Sequence, residues 1–481
     1  MRFWGKSSEA MNLISAFLEN AAGAGDKTAL VTAKGESISF SGLARRSAAL
    51  ARHWQEKELN KGDRVLVAMP VGIELYAAIA GLWRIGATIV FPEPALGLSG
   101  LRHAARMTSP RAFLGTGAYR YLRFVVPELW RVPLMLELGD SGAGGDPLVE
   151  VEADHPALIS FTSGSTGQPK AIMRSHGFLG AQNARVAELL AKEREDETDL
   201  VAFPVFVIAN LGQSITSVLP NWKLSRPHEA SAEEIARHIE AHKITRALVP
   251  PSICQVLADS KTDMGLDAIF TGGGPVFPDL MQAMTRLSPK TGISVVYGST
   301  EAEPIAHQRV ADILPGQWEA MERGGGLLAG PPVPQTRVKI IDEEIVVTGD
   351  HVNKSYLGGY GDEENKLKID GDIWHRTGDA GRLDKNGCLW LLGRHSAKAG
   401  EFYPFQVEIG ARGWPGVRRA ALVPGTNPPV LALEGEEPGT GVWQKHADIL
   451  GNLQVKKLSR IPLDKRHHSK IDYRALRKIA G

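Results

Sequence analysis

The chain has 481 residues, and at ~150 residues per unit this length predicts about three structural units. Its 55 Lys and Arg residues against 54 Asp and Glu residues give a formal net charge of +1, which excludes a strongly basic nucleic-acid coat or an acidic tail as the main feature. Hydrophobic residues make up 43% of the chain and charged residues 23%. This composition is typical of a folded globular protein and excludes disorder along most of the chain.

The two cysteines, Cys254 and Cys388, are too few for a disulfide scaffold, and no Cys/His spacing typical of a metal cluster occurs. The first residues lack the apolar core of a signal peptide. The most apolar stretch, residues 65–92, is interrupted by Glu74 and Arg84, so it does not predict a transmembrane segment. We therefore expect a cytoplasmic protein with no nucleic-acid partner.

The N-terminal residues predict a helix and then a hairpin. Apolar residues recur at helical spacing between Leu13 and Ala21, and strands are expected at 29–32 and 37–40. Ser41 is predicted to cap a helix that runs over residues 43–58.

The next residues predict a strand at 64–69, a helix at 73–85 and a strand at 88–91, which together form a right-handed βαβ unit. The same alternation continues further along the chain. The expected strands there are 112–114, 200–203, 247–249, 268–270 and 295–297, and the expected helices are 231–242 and 278–287. This pattern predicts an α/β fold with mostly parallel sheets.

After residue 330 the sequence changes to short β segments, at 337–341, 344–347 and 389–392. These predict a smaller antiparallel or β-barrel-like region. The last ~85 residues carry their own strand and helix signals and form a small α+β domain. We accordingly divide the chain into a large domain, residues 1–394, and a small C-terminal domain, residues 395–481.

One polar loop carries the clearest chemical signal. An apolar strand at 158–161 leads directly into Thr162, Ser163, Gly164, Ser165, Thr166, Gly167, Gln168, Pro169 and Lys170. Glycines let several backbone N–H groups point at one place, hydroxyls add donors, and the lysine adds positive charge, which is chemistry for holding polyphosphate. The spacing differs from that of a Walker A loop. A flexible polar linker is the alternative, but a linker needs no buried strand before it.

This loop resembles the phosphate-binding signature of the adenylate-forming superfamily, which includes acyl-CoA synthetases, nonribosomal peptide adenylation domains and luciferases. Further motifs resemble those of the same superfamily, in the same order. They are a glycine-rich turn with Gly273, Gly274 and Pro275, the Y-G-x-T-E motif from Tyr297 through Thr300 to Glu301, the T-G-D motif ending at Asp379, Arg394 at the end of the large domain, and Lys470 near the C-terminus.

The resemblance implies activation of a carboxylic acid by ATP, through an acyl-adenylate and with release of pyrophosphate. The loop at 162–170 would hold the β- and γ-phosphates. Glu301 would bind Mg²⁺, which prefers oxygen ligands, and Thr166 would be a second metal contact. Thr300 would contact the α-phosphate, and Lys470 would offset charge that develops on the reacting oxygens.

The resemblance also assigns the rest of the nucleotide site. Tyr297 would stack on adenine beside the glycine-rich turn, Asp379 would accept both ribose hydroxyls, and Arg394 would lie at the same site. The small domain would be a mobile lid that carries Lys470. Because Lys470 lies in a basic stretch, a solvated surface is the alternative for it, and Lys170 would do no more than tether phosphate.

Three departures bear on the substrate and the acceptor. Val207 stands where the superfamily often has an aromatic or histidine gate, and residues 203–213 contain no aspartate, which favours a fatty or other apolar acid over an amino acid. The segment after Arg394 is short, so adenylation is better supported than thioester formation. Residues 461–470 resemble the corresponding end of the β-lactone synthetases of olefin biosynthesis.

The sequence thus predicts an ATP- and Mg²⁺-dependent ligase that transfers an acyl group to an acceptor. CoA or another thiol, including that of a carrier protein, is the first candidate acceptor. The alternatives are a β-lactone synthetase that acts on a β-hydroxy fatty acid, an amide-forming ligase, and a non-catalytic nucleotide-binding protein.

Overall fold

In a computed structural model of the chain, residues 12–92, 96–140, 146–162, 169–464 and 470–481 are described. The chain divides into two compact units, Met1–Asn221 with Asp350–Lys366 and Trp222–Gly349 with Leu367–Gly481. The predicted boundary between residues 394 and 395 lies inside the second unit and stays a prediction. Within the described ranges, no helix is long and apolar enough to cross a membrane.

The α-helices, in chain order, are α1 Ser15–Gly23, α2 Phe40–Gln55, α3 Ile73–Ile85, α4 Gly97–Thr108, α5 Leu122–Val125, α6 His176–Leu189, α7 Val205–Gln213, α8 Ala232–Ala241, α9 Pro251–Ser260, α10 Pro278–Leu287, α11 Pro315–Ala320, α12 Asp362–Asn365, α13 Pro404–Arg412, α14 Val442–Gly451 and α15 Tyr473–Ala480. Short 3₁₀ helices span Gly117–Tyr121, Pro127–Arg131, Pro227–Glu229, Val310–Asp312, Leu357–Gly359 and His395–Ala397, and a π-helical turn spans Met321–Gly325.

The strands, in chain order, are β1 Thr28–Val31, β2 Ser37–Ser39, β3 Arg64–Ala68, β4 Thr88–Phe91, β5 Ala112–Gly115, β6 Leu134–Leu136, β7 Pro156–Thr162, β8 Lys170–Ser175, β9 Thr198–Val201, β10 Thr216–Val218, β11 Arg246–Val249, β12 Ala268–Gly272, β13 Gly292–Ser299, β14 Ala302–Arg309, β15 Leu327–Gly330, β16 Arg337–Ile341, β17 Glu344–Thr348, β18 Lys366–Ile369, β19 Asp372–Leu383, β20 Leu389–Arg394, β21 Val417–Leu422, β22 Val430–Gly435 and β23 Gln454–Leu458.

The first unit contains a sheet with the strand order β6-β5-β3-β4-β7-β8. Its neighbours are parallel except for the antiparallel pair β7–β8. The predicted strand–helix–strand unit is confirmed, because β3 and β4 pair in parallel and α3 connects them; its right-handed crossover stays a prediction. In the same unit, β9, β10 and β1 pair in parallel, and β1 forms the predicted hairpin with β2.

The helices α2 and α3 pack closely in the core of the first unit. Leu50 and Trp54 of α2 are fully buried, and a Cβ built on Gly81 of α3 would lie 3.2 Å from the Trp54 ring. The predicted start of α2 was wrong. Ser39, not Ser41, caps it, because Ser39 keeps an extended backbone and its Oγ accepts a hydrogen bond from Gly42 N.

The second unit contains three groups of strands. The strands β11, β12 and β13 are parallel neighbours, and β14 pairs antiparallel with β13. The strands β15, β20, β19, β17 and β16 form an antiparallel path, as predicted for the region after residue 330; barrel-like closure stays a prediction. The α/β class with parallel sheets is confirmed.

The C-terminal residues of the second unit form a small α+β arrangement, as predicted. The strand β22 pairs antiparallel with β21 and parallel with β23. One apolar cluster includes Val407 of α13, Leu422, Leu431 and Trp443, and all four are buried. A second cluster includes Leu476 of α15.

Leu50→Ala tests the packing of α2. We expect it to lower the free energy of unfolding by about 2–5 kcal/mol, because the removed methyl groups leave a cavity in a closely packed core. Leu98→Ala is the control: Leu98 is 51% exposed, so its change should stay within about 0.5 kcal/mol. Urea titrations of both variants make the comparison, and equal losses would contradict the assigned packing.

Candidate active site

The carboxyl ends of the parallel strands β12 and β13 bring two predicted motifs together. The glycine-rich turn follows β12, and Gly272 pairs with Val296, the residue before Tyr297. The backbones approach closely here, because a Cβ on Gly272 would lie 2.4 Å from the Val296 carbonyl oxygen. Gly273 has φ of +76°, a conformation that favours glycine. Ligands of open α/β sheets bind at such strand ends.

The structure brings Tyr297, Asp379 and Arg394 into contact. The Tyr297 hydroxyl donates to Asp379 Oδ2 over 2.9 Å. Arg394 donates to Asp379 Oδ1, also over 2.9 Å, and to the Thr377 carbonyl oxygen over 3.1 Å. Three residues that the sequence takes from three separate motifs therefore form one hydrogen-bonded cluster around a carboxylate. We call this the Asp379 cluster.

Strand pairing fixes the Asp379 cluster. Asp379 lies directly opposite Arg394 in the β19–β20 pair. Gly378 has φ of +73°, and its N–H donates to Glu344 Oε1 over 2.9 Å. The Thr377 hydroxyl donates to the Ile345 carbonyl oxygen and accepts from Asp379 N. These bonds hold the T-G-D turn rigidly.

Glu344 is a positioning residue that sequence reasoning missed. Its side chain is 6% exposed, it forms an ion pair with Arg376, and it accepts from the turn at Gly378. The only signal was a carboxylate at the start of a β segment, which is also typical of a solvated strand end.

Burial and neighbouring charges shift the pKa values of Tyr297 and Arg394 in the Asp379 cluster. Burial, and next the Asp379 carboxylate, raise the pKa of the Tyr297 hydroxyl well above its usual range, so this group stays a neutral donor. The Asp379 carboxylate raises the pKa of the half-exposed Arg394 guanidinium. Glu301 also contributes to this rise, so its charge acts on Arg394.

Thr300 and Glu301 lie in the tight turn between β13 and β14, where Ser299 pairs with Ala302. Both side chains are partly exposed. Among the described residues, no group of three or more His, Cys, Asp or Glu side chains could enclose a metal ion. A single accessible carboxylate suits Mg²⁺, which commonly takes one or two carboxylates and completes its shell with substrate phosphates and water.

The predicted phosphate-binding loop belongs to the first unit. Its two ends are cross-strand partners, because Thr162 of β7 pairs with Lys170 of β8. Ser163, Gly164, Ser165, Thr166 and Gly167 lie outside the described residues. Their phosphate-binding and metal-binding roles stay predictions.

Lys170 has contacts that the sequence did not indicate. Its side chain is 4% exposed, and its Nζ lies 3.6 Å from Glu364 Oε2 and 5.5 Å from the centre of the Tyr356 ring. Glu364 and Tyr356 belong to the segment that returns to the first unit late in the chain. Lys170 thus joins this segment to the end of the loop, and its role towards phosphate stays a prediction.

Lys470 lies just before α15 and is exposed. Its N–H donates to Asp464 Oδ1 over 3.1 Å, and its carbonyl oxygen accepts from Asp464 N. Leu463 and Ile471 form an isolated antiparallel bridge. The backbone of Lys470 is therefore held while its side chain remains accessible.

A buried carboxylate, Glu408, contacts the start of α15, and sequence reasoning did not assign it a role. Glu408 of α13 accepts from Leu422 N over 2.9 Å and from the Tyr473 hydroxyl over 3.3 Å, both at Oε1. Its Oε2 has no hydrogen-bond partner among the described residues. Burial raises the pKa of the Glu408 carboxyl to about 7. Glu408 and Tyr473 connect α13 with the start of α15.

The region of the predicted acyl gate is apolar but contains one polar pair. Val207 of α7 is fully buried and belongs to the main apolar cluster of the first unit. Asn210, one turn further, donates to Asp199 Oδ2 over 3.0 Å and to Ser217 Oγ over 3.1 Å. Asp199 of β9 is fully buried, so this bond to Asn210 belongs to the interior of the first unit.

The chain is similar to known proteins in both sequence and fold. Residues 17–357 match the family model described as AMP-binding enzyme. An olefin beta-lactone synthetase of Xanthomonas campestris is 28% identical over an alignment of 502 positions, gaps included, which covers 90% of this chain and 89% of that protein. A feruloyl-CoA synthase of an Amycolatopsis species is 29% identical over an alignment of 412 positions, which covers 81% of each chain. The structure of O-succinylbenzoate coenzyme A synthetase from Bacillus subtilis in complex with ATP and magnesium ion superposes with a TM-score of 0.78 at 20% identity, over 98% of this chain and 99% of that one.

Glu408→Gln tests the buried carboxylate. The pKa of Glu408 is raised on folding from 4.5 to about 7, so the unfolded chain releases this proton first as the pH rises. Stability should therefore fall between about pH 4.5 and pH 7, by up to about 3 kcal/mol, and the glutamine variant should lose this component.

Urea unfolding of both proteins at about pH 5 and about pH 8 measures the effect. We expect the variant to gain stability relative to the wild type at the higher pH. Glu436→Gln, at an exposed glutamate, is the control. If the free energies of unfolding of the wild type and Glu408→Gln differ by the same amount at both pH values, a raised pKa of Glu408 is ruled out.

Proposed function

The chain belongs to the AMP-binding enzyme family, and on that premise we propose that it is a ligase that activates a carboxylic acid as its acyl-adenylate. ATP is the second substrate, and pyrophosphate is released. An apolar acid, such as a fatty acid, is the proposed substrate class.

The observation that carries this proposal is the Asp379 cluster. A carboxylate with each oxygen held by a single donor keeps lone pairs free for two further hydroxyl groups, such as the 2′- and 3′-hydroxyls of a ribose. Tyr297 presents an aromatic ring beside the glycine-rich turn, where a nucleotide base can stack. The hydrogen bonds from Arg394 and Tyr297 fix the orientation of the carboxylate before a nucleotide binds. Binding then costs little additional side-chain entropy.

The chemistry consists of two displacements. In the first, a carboxylate oxygen of the acid attacks the α-phosphorus of ATP, the bond to the bridging oxygen breaks, and pyrophosphate leaves. In the second, a nucleophile attacks the acyl carbon and AMP leaves. Two anions must meet in the first step, so the residues contribute mainly by positioning and by compensating charge.

The proposed roles follow from placement. Thr300 would donate to the α-phosphate from the turn after β13. Lys470 would compensate the charge that grows on the reacting oxygens, from a domain that we propose to span residues 395–481. Glu301 would hold Mg²⁺, and that ion supplies charge neutralisation for the phosphates.

For the acceptor, CoA or another thiol is the first proposal, supported by the similarity to a feruloyl-CoA synthase. A second candidate is an intramolecular reaction, in which the β-hydroxyl of a β-hydroxy acid attacks the acyl carbon and closes a β-lactone. The observation that favours it is the similarity to an olefin beta-lactone synthetase along 90% of this chain. The short segment after Arg394 also fits a reaction that needs no CoA.

Pyrophosphate release across a panel of carboxylic acids, with and without CoA, tests the proposal. We expect release with apolar acids and Mg·ATP, and mass spectrometry of the products identifies the acceptor. An acyl-CoA product supports the thiol reaction, whereas release without CoA and a product lighter by one water supports the lactone. A purified protein that binds ATP but releases no pyrophosphate with any acid would overturn catalysis.

Lys470→Ala tests the catalytic assignment. Loss of one charge-stabilising group should slow adenylate formation by ~10²–10³-fold, with little change in the midpoint of thermal unfolding, because the side chain is exposed. Lys478→Ala is a matched control on α15, where Lys478 is also exposed. Single-turnover pyrophosphate release gives the rates, and an unchanged rate in Lys470→Ala would remove Lys470 from the mechanism.

A further inference from the structure

One surface of the first unit exposes an unusual combination of side chains. In residues 117–131, Phe124 is 63% exposed, Val125 64% and Trp130 67%. The large exposed side chains of this segment form what we call the aromatic–arginine surface: Tyr119, Arg120, Tyr121, Arg123, Phe124, Val125, Trp130 and Arg131. Single exposed apolar residues are ordinary, but several within one short segment indicate a binding surface.

The segment is anchored from within. Val126 and Leu129 are fully buried, Val132 is 7% exposed, and all three belong to an apolar cluster of the first unit, against which Leu122 also packs. The apolar residues that can turn inwards therefore already do so. The aromatic side chains remain outside because the same short helices direct them away from this cluster.

Local contacts hold the exposed side chains together. The Trp130 indole N–H donates to the Arg123 carbonyl oxygen over 2.8 Å, and the Arg123 guanidinium lies 4.8 Å from the centre of the Phe124 ring. Arg120 lies 4.7 Å from the centre of the Tyr121 ring and donates to its hydroxyl. The surface is thus ordered, with cations placed directly beside apolar rings.

The charge of this surface is not compensated. Glu128 is its one acidic residue, and it already forms ion pairs with Arg102 and Arg106 of α4. Within the described residues, Arg120, Arg123 and Arg131 have no carboxylate partner. The chain as a whole is almost neutral, so this local excess of positive charge is not a consequence of overall composition.

We propose that the aromatic–arginine surface docks the enzyme on an anionic membrane surface. Tryptophan and tyrosine rings are favoured at the level of lipid headgroups, because each has an apolar body and a polar tip. Arginine side chains lie over apolar surface while their guanidinium groups reach lipid phosphates. Val125 and Phe124 would enter the boundary of the acyl chains. An acidic protein partner would attract the arginines equally well. It would not account for the three strongly exposed apolar side chains.

Docking through this surface would bring the enzyme to the lipid bilayer, in which apolar acids concentrate. This consequence depends on the proposed substrate class, whereas the docking itself does not. A binding measurement without ATP or acid therefore tests the surface independently of catalysis.

Co-sedimentation with vesicles is the direct test. We expect the full chain to bind vesicles of phosphatidylcholine and phosphatidylglycerol, to bind pure phosphatidylcholine more weakly, and to dissociate as salt is raised. Arg120→Glu with Arg123→Glu should weaken binding to the anionic vesicles by about thirtyfold at low salt. Phe124→Ala with Trp130→Ala should weaken it by about tenfold, with less dependence on salt.

Two controls separate this surface from general charge and hydrophobicity. Lys34→Glu reverses an exposed cation in the β1–β2 turn of the same unit, and Ile449→Ala removes a side chain that is 86% exposed. Both should bind vesicles like the wild type. All variants should keep the wild-type unfolding midpoint, because every altered side chain is exposed.

Three outcomes would overturn the proposal. The first is a wild-type chain that binds neither kind of vesicle. The second is equal binding by the wild type and both double variants. The third is a dimer that Phe124→Ala with Trp130→Ala dissociates while vesicle binding is absent, which would make the surface an interface between two copies of this chain.

Discussion

Hydrogen bonds to the Asp379 carboxylate join three strands of the second unit, β13, β19 and β20. The carboxylate accepts from Tyr297 on a parallel strand and from Arg394 on an antiparallel strand, so a single charge joins two kinds of sheet. A carboxylate bound by a guanidinium has a fixed orientation, and this orientation is what a nucleotide sugar would meet. Glu344 supports the same turn from a further strand. Gly272 and Gly378 matter because a Cβ would meet the Val296 backbone at the first position and the Arg394 guanidinium at the second.

Residues that lie far apart in the sequence meet at this carboxylate. Tyr297, Asp379 and Arg394 were found as parts of separate motifs, and motif order placed them at one site without specifying their mutual contacts. The hydrophobic pattern predicted the strands and helices of both units well, because buried parallel strands are short and apolar. It misplaced the start of α2, since Ser39 and Ser41 are both good capping residues and only the backbone conformation distinguishes them.

Buried polar residues were the main omissions. Glu344, Glu408 and Asp199 are buried, and each is bound by residues of other strands or helices. Nothing in a local pattern distinguishes such a carboxylate from a solvated one, because its partners are defined only after the chain has folded. The partners of Lys170 were also not predictable from a local pattern. Its position in a polar loop predicted a contact with phosphate, whereas its observed partners are Glu364 and Tyr356.

The ion pair between Lys170 and Glu364 also constrains when the first unit can finish folding during synthesis. The first unit is discontinuous, since residues 1–221 are completed by residues 350–366. On the ribosome, the strand that begins at Lys170 is finished long before Glu364 and Tyr356 are added. The interior position of Lys170 therefore acquires its counter-charge only after most of the second unit has been synthesised. Completion of the first unit is a late event of biosynthesis, and a chain truncated before residue 350 would expose the unfinished interior to aggregation.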